Sequence, residues 1–204
     1  MREKRRMPYR GYFLVVAFLL AAAGMPARQS SAPDKVQKAQ KEDTAGFKEF
    51  SERVQDYVKL QKTVESKLPA LKSTDLPEMI TAHQQALARM IREARPNAKA
   101  GDIFTRSARE AFRHVIRRAF EGPHADDVRA AMKLGVPLKD IHLRVNGIYP
   151  DAVPYATVPI TLLANFPTLP DVLAYRIVGP DLVLIDVKSN MVVDLARALI
   201  PSKP

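Results

Sequence analysis

The 204-residue chain predicts an α+β protein, with about three main helices in an N-terminal helical region packed on a small C-terminal antiparallel sheet. Three observations carry that expectation. Apolar residues recur at three- and four-residue spacing as far as Glu121, which is the period of a helix face. Eight of the 16 prolines fall between Pro123 and Pro180, which excludes long helices there. Three short apolar runs separated by turn signals then close the chain, as in a β-meander.

Residues 1–27 read as a Sec-type signal peptide. Arg2, Lys4, Arg5, Arg6 and Arg10 make a basic start, and an apolar run follows from Tyr12 to about Met25. That run is shorter than the roughly 20 residues a spanning helix needs. Small residues place cleavage after Ala23 or Ala27. The expected location is the periplasm or the medium, with no stable membrane anchor after cleavage. The chain has no Cys, so it carries no lipid anchor on a thiol and no disulfide. Residues 1–27 hold a net charge of +4, which leaves +6 of the total +10 to the rest.

Residues 28–40 are polar and read as a flexible spacer turning helical near Val36. One domain is expected over 41–204, with a helical part at 41–121 and a proline-rich part at 122–204. Phe47, Phe50, Val54, Tyr57, Gln61, Val64 and Leu68 alternate in threes and fours, forming one helical stripe that Pro69 ends. Asp75 and Glu78 have capping-box spacing ahead of a second helix, with Pro77 tolerated in its first turn. Its stripe is Ile80, His83, Leu87, Met90 and Ala94, and Arg95-Pro96 stops it. Thr105 is the expected cap of a third helix over Arg106–Glu121, closed by Gly122-Pro123. A shorter helix is expected from Asp126 to Leu134.

Beyond Gly135 the pattern changes. Ile141, Leu143 and Val145 alternate with polar residues, which predicts a strand before the turn Asn146-Gly147. Thr161 to Asn165 predicts a helical turn. Leu173–Val178, Leu182–Val187 and Met191–Leu195 predict three strands. Asn190 suits a left-handed position between the last two. The middle strand is apolar on both faces, so helices are expected to cover it.

The segment containing Tyr175, Arg176, Leu184, Ile185, Asp186, Val192, Val193 and Asp194 resembles the C-terminal hairpin of RcnB-like periplasmic proteins. The chain as a whole is similar to secreted bacterial proteins. The hairpin resemblance implies a periplasmic protein responding to nickel or cobalt. If Val187 pairs with Met191, Asp186 and Asp194 share a face at roughly 7–8 Å. That spacing makes them candidate metal ligands.

The other candidate site is basic. Arg106, Arg109, Arg113 and Arg117 fall within an arc of about 80° on the third helix, and Arg89, Arg92 and Arg95 on the second would extend it. Guanidinium groups grip phosphate or carboxylate with paired donors. The expected partner is an anionic envelope surface or an acidic protein. Nucleic acid is not expected, because no aromatic stacking platform accompanies the charge. His83, His114, His124 and His142 lack metal-ligand spacing, although His124 with Asp126 and Asp127 would make a loose cation site. No nucleophile motif, Gly-rich phosphate loop or cofactor signature occurs, so the expected role is non-catalytic binding or structural support, without a cofactor.

Overall fold

The computed structural model describes residues 32–70, 76–133, 142–150 and 153–201. It is an α+β fold of four helices longer than one turn and a four-stranded antiparallel sheet. The helices are α1 (Ala32–Glu65), α2 (Pro77–Ala94), α3 (Arg106–Glu121) and α4 (Ala125–Lys133). A one-turn helix, α5 (Ile160–Leu163), follows β1 (Ala156–Thr157). The strands β2 (Leu173–Val178), β3 (Asp181–Asp186) and β4 (Met191–Ala196) complete the sheet in the order β1-β2-β3-β4. The predicted signal peptide with both cleavage points, residues 28–31 of the spacer, Asp75, Leu134, Gly135 and Ile141 lie outside the described residues.

The helices form where the periodicity predicts, but the buried face of α2 departs from its expected stripe, in which Ile80 and Ala94 are exposed. On α1 the buried apolar positions are Phe50, Val54, Tyr57, Val58 and Val64, joined by Asp43, Gly46 and Gln61. The helix starts at Ala32, so residues 32–40 of the expected spacer are helical. The cap of α2 differs from the expected box. Leu76 occupies the cap position without a side-chain hydrogen bond, and Pro77 opens the first turn. The buried face of α2 is Leu87, Ala88 and Ile91. Met90 lies at its margin. At α3, the Thr105 hydroxyl accepts from the Ala108 amide at 3.3 Å, as the sequence predicts.

α1 packs most extensively against α3 and also against α2. The crossing of α1 and α3 is close because Gly46 faces the Ser107 backbone and the Ala111 methyl. A ring cluster fills the space between these helices and the sheet. Phe112 meets Phe47, Phe50, Phe104 and Phe166 edge-on, with centroids 4.7–5.3 Å apart. Edge-to-face pairs of this kind add to the area that the rings bury.

The sheet has two covered faces. Leu173, Tyr175, Ile177, Leu182 and Leu184 join the helical core. Val178, Val183, Ile185, Val192 and Leu195 pack instead under Leu143, Tyr149 and Val153. The expectation of helices over both faces of β3 is therefore corrected, because an irregular segment covers the second face. That segment also replaces the strand predicted at 141–145. Leu143 is buried between exposed His142 and Arg144, so the alternation is real. No ladder forms at 142–145, however. The chain turns at Asn146 (φ 62°) and docks on β4 through Asn146 N–H to Val192 O at 2.8 Å and Val192 N–H to Gly147 O at 2.9 Å.

The register of β3 and β4 is half as predicted. Leu184 faces Asp194, but a bulge then shifts the pairing, so Ile185 faces Val192 and Asp186 faces Met191. The expected pairs of Val187 with Met191 and Asp186 with Val192 do not form. The connecting loop has four residues, with Asn190 in the left-handed region at φ 49°, as its residue type predicts.

Candidate functional site

α3 is strongly two-sided. Ala108, Ala111, Phe112, Val115 and Ile116 are buried. Arg106, Arg109, Arg113 and Arg117 lie on the opposite side, because residues at spacings of three, four and four share a helix face. Arg106 and Arg117 are exposed, and Arg109 and Arg113 are half-buried. The arc runs from Arg106 to Arg117, 11 residue steps or about 16 Å of helix axis. Thr105 sets its start and Gly122, in extended conformation, sets its end.

The arginines differ in their partners. Arg113 Nη1 lies 2.7 Å from Glu110 Oε1. Among the described residues, Arg106, Arg109 and Arg117 enter no ion pair. Arg118, farther round the helix, reaches Asp43 Oδ2 of α1 at 3.3 Å. His114 Nδ1 lies 2.7 Å from Asp43 Oδ1. Asp43 is thus a buried link between α1 and the side of α3.

Charge separates α3 from its neighbours. It carries five arginines and two glutamates, or +3. On α1, seven basic residues balance seven acidic ones, and α2 and α4 are also neutral. Two of the arginines expected to extend the arc, Arg92 and Arg95, are engaged elsewhere. Arg95 is turned inward, its guanidinium 5.2 Å from the centre of the Tyr57 ring. Arg92 Nε donates to Asn146 O at 3.2 Å. Both hold the 144–147 turn rather than a surface ligand, since Asn146 Nδ2 also donates to Arg95 O at 2.9 Å.

Asp186 and Asp194 are fully buried, and each is enclosed by donors. Asp186 Oδ2 accepts from the Tyr57 hydroxyl at 2.7 Å. Its Oδ1 accepts from the Lys188 and Ser189 amides at 2.9 and 3.0 Å, which is an Asx turn that shapes the β3–β4 loop. Asp194 Oδ2 accepts from the Ile103 and Phe104 amides, both at 2.7 Å. Its Oδ1 accepts from Gly101 at 2.9 Å and Leu195 at 2.7 Å. Burial pushes the Asp194 carboxyl up, against the pull of these four amides. Both carboxylates face the helical layer, but one fastens α1 and the other fastens the α2–α3 loop. No group of three or more His, Cys, Asp or Glu placed to hold a metal occurs among the described residues.

A cleft of about 700 Å³ runs between α1 and α3, lined in part by Glu42, Asp43, Glu49, Ser107, Glu110 and His114. The Ser107 hydroxyl donates to Glu49, which this bond holds below the usual carboxylate range. Ser107 and His114 are two turns apart, about 10 Å along the axis. Each is engaged elsewhere, so the cleft contains no hydroxyl–imidazole pair of the kind that activates a nucleophile. His124 lies 3.7 Å from exposed Asp127, while Asp126 is taken by Arg129 at 2.9 Å. His83 is half-buried on α2 and His142 is exposed.

Sequence reasoning found the arc but missed the donors around the two aspartates. Those donors are backbone amides and a tyrosine contributed from distant segments, and amides leave no mark in a sequence. The Glu110–Arg113 pair was visible in its three-residue spacing. Compared with protein-family models, curated proteins and solved structures, the chain matches none.

Proposed function

We propose that this chain is an exported envelope protein that binds a phosphate-bearing anionic surface through α3, without catalysis. One observation carries the reading. α3 alone among the four long helices has a net charge, +3, and Arg106, Arg109 and Arg117, in no ion pair among the described residues, lie opposite its buried face. A guanidinium presents several donors in a fixed plane and is weakly hydrated, which favours phosphate oxygens. The basic and apolar layout of residues 1–27 supports export. Among the described residues, no helix is long and apolar enough to cross a membrane.

The test is sedimentation with phosphatidylcholine vesicles, with and without phosphatidylglycerol, at low salt. Binding is expected only where phosphatidylglycerol is present. A double variant, Arg106→Glu with Arg117→Glu, is expected to weaken it about 30-fold or more, at roughly 1 kcal/mol per basic residue near an anionic leaflet. Both positions are exposed, so the fold is preserved. The N-terminal basic residues are the same in both proteins, so the difference reads α3 alone. Equal binding of the variant would overturn the reading.

A further inference from the structure

The next step rests on that reading of α3 and deepens it. We propose that Glu110 is an internal counter-ion of the arginine arc, holding Arg113 until an array of phosphates displaces it. Three observations support this. Glu110 Oε1 lies 2.7 Å from Arg113 Nη1, so a carboxylate already fills one position that an incoming anion oxygen would take. Arg113 is central in the arc, with Arg109 and Arg117 one turn away on either side. The Arg113 hydrogen bond holds Glu110 below the usual carboxylate range against the effect of burial, and the neighbouring charges of Arg113 and Arg106 add to it. Glu110 is therefore coupled to a second arginine of the arc, Arg106, as well as to Arg113.

The pair is also weak enough to yield. Its side chains are 36% and 53% exposed, and exposed pairs of this spacing contribute little net stability. A single small anion gains nothing by exchanging with Glu110, since one carboxylate-type contact replaces another and a free molecule is immobilised. A surface presenting several phosphates engages Arg106, Arg109 and Arg117 together, and the exchange at Arg113 then comes at small cost. Glu110 makes the face selective for dense anionic surfaces over isolated anions.

The experiment uses the full chain and the same two vesicle types, comparing wild type with Glu110→Gln. The glutamine keeps the size and removes the charge. Affinity for phosphatidylglycerol vesicles is expected to rise about three- to tenfold, the effect of removing one like charge a few ångströms from bound phosphate. Arg113→Gln is expected to cost more affinity in the Glu110→Gln background than in wild type, because only there is Arg113 free before binding. Unchanged or weaker binding of Glu110→Gln, with the Arg106→Glu, Arg117→Glu loss intact, would overturn the counter-ion role alone. Absence of any phosphatidylglycerol preference in wild type would overturn the reading of α3 and this inference with it.

Discussion

Asp194 shows how a residue that looks chemical in sequence is used for architecture. Its two oxygens receive four backbone amides, three of them from the turn between α2 and α3. Those three amides lie in the loop before the Thr105 cap, where neither helix nor strand supplies an acceptor. The carboxylate answers that need and ties α3 to β4. Asn at this position keeps the shape but turns one acceptor into a donor facing the Ile103 and Phe104 amides. Asp194→Asn is therefore expected to cost about 2–4 kcal/mol, the usual range for leaving buried donors unsatisfied or breaking a buried charged network. Urea unfolding followed by circular dichroism measures it, and a loss below half a kcal/mol would contradict the assignment. A reading of strand periodicity placed Asp186 and Asp194 on one face, and they do share the helical side. The donors that occupy their oxygens come largely from segments far away in the chain, which periodicity does not show.

At the level of elements, helix boundaries were legible where side chains announce them and less so elsewhere. Thr105 and Gly122 bound α3 as expected, and Pro96 stops α2 after Ala94. The strand predicted at 141–145 had the right alternation and the wrong hydrogen bonds. Burying Leu143 against Val192 and Leu195 requires only a segment lying across the sheet, not a ladder. The bulge between β3 and β4 was equally hidden, because Val193 is a good strand residue on either register. Gly46 is the converse case, a residue whose role is clear only from packing. A Cβ there would sit 2.5 Å from the Ser107 carbonyl oxygen and 3.1 Å from the Ala111 Cβ. Alanine improves helix propensity by up to about 1 kcal/mol, yet the two helices would have to separate. Overpacking of this kind costs about 1–3 kcal/mol, so the clash outweighs the propensity gain. Gly46→Ala is expected to lower the melting temperature, and a rise would show that α1 and α3 separate freely.

Across the whole molecule, stability and binding draw on different forces, and salt separates them. The fold is held by two apolar layers, one on each face of the sheet, and by buried donors to Asp186 and Asp194. Its surface ion pairs are mostly local, as between Lys38 and Glu42 or Lys48 and Glu52, and these contribute little. Among the four long helices, by contrast, the excess charge lies on α3 alone, opposite its buried face. Screening lengths fall from about 10 Å at 0.1 M salt to about 3 Å at 1 M. Apolar burial is not weakened by that change. Raising sodium chloride over this range is therefore expected to shift the melting temperature by no more than a few degrees. The same change should abolish sedimentation with phosphatidylglycerol vesicles. Loss of binding together with loss of fold would mean that the arginine arc stabilises the domain. Binding that survives 1 M salt would place the contact on exposed apolar residues such as Ile160 and Leu163 instead of on α3. Only salt-labile binding on a salt-tolerant fold agrees with a neutral helical scaffold that presents one charged face.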